Sequence, residues 1–211
     1  MLIEHEGKKP RVHPTAFVAP NAVLCGNVVV GPGSRVMHGA QLIAEGRRII
    51  LGERCVVLQN AVLRSTARHP LVLGDGVLVG PQAHLVGCVV DRESACATSA
   101  TVLHGAVIGE QSEVRVDGVV HANTRLPARS MVPIGWVAVG NPAEILAPSE
   151  HESIWRVQRS LDFPTAAYGL ERSEATGGRI ACYMSCTLEQ HTQDTVLNGF
   201  SDEPRATEAP Q

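Results

Sequence analysis

The chain has 211 residues, with 21 acidic against 18 basic side chains and a formal net charge of −3, which gives no electrostatic case for nucleic acid. Only 3% of residues are aromatic, which suits an interior too narrow for rings. Without a membrane-length apolar run or a leader pattern, the sequence reads as a cytoplasmic protein that does not enter a membrane.

Residues 1–11 are polar and read as a lead-in. From Val12 a branched aliphatic residue recurs every six residues, at Val18, Leu24, Val30, Val36 and Leu42. The beat resumes at Leu51, Val57 and Leu63, and again at Leu73, Val79 and Leu85. It then runs through Val90, Cys96, Val102, Ile108, Val114, Val120, Leu126 and Val132. A period of six fits neither a helix nor an ordinary sheet. It marks a left-handed parallel β-helix, in which three hexads make one triangular coil and coils stack about 4.8 Å apart. Residues 12–147 thus form one mostly-β domain of six to seven coils. Each recurring aliphatic residue should point inward, and the small residue four positions later (Ala22, Ala40, Ala61, Ala83) should face inward with it. The Gly that often follows the aliphatic residue (Gly31, Gly52, Gly74, Gly80, Gly109) is expected to serve corners that need positive φ. Leu42 to Leu51 is three residues too long and Leu63 to Leu73 four too long, so loops leave the prism there; Leu85 to Val90 is one residue short.

Past Asn141-Pro142 the repeat stops. Residues 148–165 read as a C-terminal helix packing on the solenoid. Ser149 and Glu152 have the spacing of a capping box, and Ile154, Trp155, Val157 and Leu161 give residues 150–161 an apolar stripe that ends at Asp162-Phe163-Pro164. Residues 166–211 read as a linker, a weak helix over about 179–191, and a disordered end. The six Cys read as reduced thiols: Cys55 and Cys96 in inward slots, Cys25 and Cys88 near corners, Cys182 and Cys186 in the tail.

With the hexads placed, residues 12 to about 165 resemble the gamma-class carbonic anhydrase-like family of hexapeptide-repeat proteins. The resemblance rests on the repeat, the two insertions, the short corner at Gly87-Cys88, and the closing Val139-Gly140-Asn141-Pro142-Ala143 followed by a helix. It implies a homotrimer with a divalent metal between adjacent subunits, held by three His. The slots matching those ligands hold Arg64, Pro81 and Val86. The hydratase ligand set is therefore absent as written.

Other histidines lie close by along the prism. His69 sits in the second insertion, His84 ends the hexad begun at Val79, and His104 lies about one coil higher. A relocated site for zinc, iron or cobalt would use His69 and His84, with His104 or a neighbouring subunit completing it. His121, about 14 Å from His69, is too far to share that ion. Arg64 and Arg68 offer planar forks for an anion such as bicarbonate, a carboxylate or a phosphate, or else an ion pair with Glu45 or Glu53. Two other functions stay open. In a hexapeptide-type acyltransferase, acetyl-CoA would bind between subunits and His69 or His84 would act as general base. A non-catalytic trimeric scaffold would need the fold alone.

Overall fold

A computed structural model describes residues 1–197. Each hexad forms a short strand on which the recurring aliphatic residue turns inward, and the strands sort by threes into three parallel sheets. Two sheets have seven strands. The third has ten: eight parallel strands from Leu2–Glu4 to Val137–Val139, with an antiparallel strand at each edge. At one edge Thr195–Leu197 pairs with Leu2–Glu4, and at the other Glu144–Leu146 pairs with Val137–Val139. The result is the left-handed β-helix that the hexads predict, with about eight coils where the hexads alone indicate six to seven. Part of the difference lies at the start, where Leu2–Glu4, in the polar stretch read as a lead-in, pairs in parallel with Val23–Cys25.

The register follows the sequence spacing. In regular stretches partners lie 18 residues apart, as in Val18 on Val36 and Val90 on Ile108. The first insertion stretches the pairing to Leu42 on Leu63, the second to Leu63 on Leu85, and the short corner compresses it to Leu85 on Val102. Val79, Leu85 and Val102 have no exposed surface, and the inward residues form one continuous core along the axis. Burying each contributes roughly 1.5–3 kcal/mol, and stacking identical slots makes stability accumulate coil by coil.

The corners depart from expectation. Positive φ falls three residues after the inward aliphatic residue, at Gly33, Gly39, Asn60, Gln82, Ser99 and Asn123 among others. The Gly directly after it is needed for a different reason. A Cβ at Gly74 would stand 2.6 Å from the Arg92 backbone nitrogen, and one at Gly80 would stand 2.5 Å from the Ala97 carbonyl carbon. The next coil passes too close for any side chain.

After the last coil, helix α1 (His151–Gln158) continues as a 3-10 turn over Arg159–Leu161. Its start is not the expected capping box. Glu150 is the N-cap and no side chain caps the helix; the Glu150 carboxylate instead accepts from the Ala147 amide at 2.9 Å, closing a turn in which the Glu150 amide donates to the Ala147 carbonyl. Asp162, at φ 45°, breaks the direction, and Pro164 opens α2 (Phe163–Tyr168). Helix α3 (Gly177–Leu188), capped by the Thr176 hydroxyl, runs into a 3-10 segment over Glu189–Gln193 and then the edge strand Thr195–Leu197. The disordered end read from the sequence lies almost wholly outside the described residues. All six Cys are free thiols.

Candidate functional site

The sheet that contains Val62–Ser65, His84–Val86 and Thr101–Val102 carries the positions of interest on its outer side and at its corners. Pairing places His84 beside Val62 and Thr101, and Arg64 beside Val86 and Ile43. Arg64 donates to the Glu45 carboxylate at 2.6 Å, and Glu45 is nearly buried. The fork offered to an anion is thus engaged within the chain. Arg68 donates to the Thr165 carbonyl at 2.7 Å, so it fastens the second insertion to α2.

His69 is held by its own loop, its amide donating to the Thr66 hydroxyl at 3.1 Å. Its imidazole is lowered in pKa by burial, opposed by a hydrogen bond to the Ala166 backbone and helped by the Arg68 charge. His84 is exposed at the surface yet also lowered, first by partial desolvation against the sheet and then by the Arg64 guanidinium. His104 shifts furthest: burial, followed by the influence of His69, Arg64 and His84, brings it down to about 4. Its Nδ1 is buried without a hydrogen-bond partner. All three imidazoles are therefore neutral at physiological pH, the form that can accept a proton or bind a metal. His104 feels both His69 and His84, which puts the three near one another, although their donor atoms do not close into one three-ligand group within a single chain.

The sequence reading missed what covers this face. The Phe163 ring lies 5.7 Å from His104 and 5.9 Å from His121, with Tyr168 against its other side at 5.9 Å. His121 is buried, accepts from the Gln158 side-chain amide at 2.8 Å, and is lowered in pKa chiefly by burial. Asn123 donates to the Leu161 carbonyl at 3.1 Å. The segment from α1 to α2 is thus strapped across the upper coils. Its signal in the sequence was Phe163, an aromatic residue in a chain with few of them, placed where the helix was expected to end.

No family model matches the chain. Gamma carbonic anhydrase 1 of Arabidopsis thaliana mitochondria is 33% identical over 159 residues, covering 72% of this chain and 56% of the plant protein. The carnitine operon protein CaiE of Escherichia coli K12 is 32% identical over 152 residues, covering 72% of this chain and 74% of CaiE. The chain belongs to the gamma carbonic anhydrase-like hexapeptide-repeat family. Against the mitochondrial gamma carbonic anhydrases it spans little more than half their length. A solved Bacillus cereus protein that carries an acetyltransferase name superposes with a TM-score of 0.53 at 24% identity, covering 75% of this chain and 90% of that one, a likeness of fold.

The gamma carbonic anhydrase-like fold implies a metal held by three imidazoles, and the residues here do not fit one at those slots. Arg64 brings a positive charge already paired with Glu45, Pro81 has no donor, and Val86 is a buried aliphatic side chain. Neutral His supplies what zinc needs, and none of these three can replace it.

Proposed function

We propose that this chain forms a homotrimer of the gamma carbonic anhydrase-like type, degenerate as a carbon dioxide hydratase, with an interface site rebuilt around His69, His84 and His104. The observation that carries the reading is the replacement of all three metal slots by Arg64, Pro81 and Val86 beside three neutral histidines in one neighbourhood. In this reading the relocated site takes a divalent cation, zinc or iron or cobalt, and the missing donor comes from the adjacent subunit. Arg64 and Arg68 frame the site; an anion reaching it would compete with Glu45 for Arg64. Trimer formation is supported by the outward positions of the sheet that contains Val28–Val30. Val29, Ile50, Val72, Val89 and Val107 form a stripe of half-buried aliphatic side chains, bounded by Arg11 and Arg125. Such a stripe is the apolar patch that a subunit interface covers.

Stopped-flow measurement of carbon dioxide hydration, with and without added zinc, iron(II) or cobalt(II), should show no metal-dependent acceleration. Robust acceleration would overturn the degenerate reading. Light scattering coupled to gel filtration should give three subunits for the wild type and fewer for Val89→Glu/Val107→Glu.

A second reading, acyl transfer from acetyl-CoA, draws on one observation: His84 is exposed and neutral, as a general base must be. Thermal stabilisation by millimolar acetyl-CoA that is lost in His84→Gln would favour it over the cation site.

A further inference from the structure

A second group of metal-ligating side chains lies away from the interface histidines, at the first coil. His5, Cys25, His191 and Asp194 each place a ligand atom within 4.8 Å of all the others. We propose that these four residues form a closed structural site for zinc or a similar divalent cation, which clasps the C-terminal segment to the start of the solenoid.

The backbone brings the four together from both ends of the chain. Ile3 pairs with Cys25, so the thiol lies on the strand next to the first one. A two-residue turn at Glu6-Gly7, both at positive φ, closes the His5–Lys8 bridge and fixes His5 just past that strand. The edge strand pairs Thr195 with Glu4, which sets Asp194 opposite His5. The preceding 3-10 segment then carries His191 over the cluster, its ring stacked on that of His5 at 4.3 Å.

Asp194 is the hub. One carboxylate oxygen lies 2.6 Å from His5 Nδ1; the other lies 2.8 Å from His191 Nδ1 and 3.5 Å from Cys25 Sγ. Two imidazoles, a thiol and a carboxylate make a mixed nitrogen, sulfur and oxygen set. That set suits zinc or cobalt and is wrong for magnesium or calcium, which take oxygen. Four protein ligands leave no open position, the arrangement of a structural site. A thiolate and a carboxylate with two neutral imidazoles would balance a dication, so the half-buried site would carry no net charge. A carboxylate also stands behind one imidazole, at ion-pair rather than hydrogen-bond distance. The other nitrogen of His191 faces the Glu45 carboxylate at 3.7 Å, and Glu45 is paired with Arg64. A carboxylate behind a ligating imidazole is the usual second-shell support for zinc.

The test uses the full-length chain, stripped with chelator and titrated with cobalt(II), then competed with zinc. Expected is one cobalt per subunit at this site, with the visible bands of tetrahedral coordination and a thiolate-to-cobalt charge-transfer band. Cys25→Ser should abolish that band, and Asp194→Asn should weaken cobalt binding at least about 100-fold. His84→Gln/His104→Gln should leave the thiolate band intact, which separates this site from the interface reading. As a check that needs no variant, chelator should speed proteolytic removal of residues beyond about 189, and zinc should restore protection. Absence of a thiolate–cobalt band in the wild type, or its persistence in Cys25→Ser, would overturn the proposal, as would tail proteolysis indifferent to chelator and zinc.

Discussion

The Arg64–Glu45 pair offers a direct measurement of whether Arg64 is engaged within the chain. Glu45 retains 7% of its side-chain exposure and Arg64 26%, with the charged atoms 2.6 Å apart. Removing one partner of a fully buried pair costs roughly 3–5 kcal/mol, because the other charge is left buried and unmatched. The quarter of Arg64 that reaches solvent lowers that figure. Arg64→Met should therefore destabilise by about 2 kcal/mol, and Glu45→Gln by about 1 kcal/mol. The double variant should cost less than the two together, leaving a coupling of about 1 kcal/mol. The assay is urea unfolding followed by circular dichroism at fixed subunit concentration, since assembly contributes to apparent stability. The midpoint should move while the denaturant slope stays constant. A coupling near zero would refute the reasoning and return Arg64 to the role of a free anion-binding fork.

His104, pushed down to about 4 by burial and its basic neighbours, stays neutral in the folded chain where the unfolded chain takes up a proton. Its contribution is fully present above the ordinary histidine pKa of about 6.5, is lost as pH falls from there toward about 4, and amounts to roughly 3 kcal/mol at most. Urea midpoints across that window should fall more steeply for wild type than for His104→Phe; equal slopes would contradict the shift. Phe163→Ala should uncover His104 and His121 and raise both imidazole pKa values, read by proton NMR titration. Leu85→Ala, at a position with no exposed surface, should cost about 2–5 kcal/mol. Leu78→Ala, on the outer side and 40% exposed, should stay within about 0.5 kcal/mol, and comparable losses at both would contradict the inward assignment.

The repeating part of the structure was legible because its physics repeats. Leu63, Leu85 and Val102 stack since every third strand returns to the same sheet, and counting residues between hexads gave the insertions and the short corner. The corner glycines were misread because sequence shows that a side chain is forbidden but not whether conformation or proximity forbids it. Ser149 does not cap the helix because helix α1 starts one residue later, with Glu150 at the N-cap and its carboxylate drawn back to the Ala147 amide. The contacts that define the site regions were least legible. Phe163 on His104 and Asp194 on His5 join residues that no periodicity relates; the second pair is separated by 189 positions. Cys25 was placed near a corner, and nothing in the hexads indicated that the tail would bring it His191.

The two antiparallel edge strands have a consequence for solubility. A coil of stacked strands finishes in bare amide and carbonyl groups, and one copy could add to another there to grow a fibre. Here Thr195–Leu197 occupies the first such rim and Glu144–Leu146 the last, both running against the direction of the coil. The two seven-stranded sheets end in parallel strands, while on the ten-stranded sheet an incoming strand in the native parallel orientation finds neither edge vacant. Deleting the chain from about residue 189 onward would reopen one of them, leaving a folded protein that is prone to polymerise end to end.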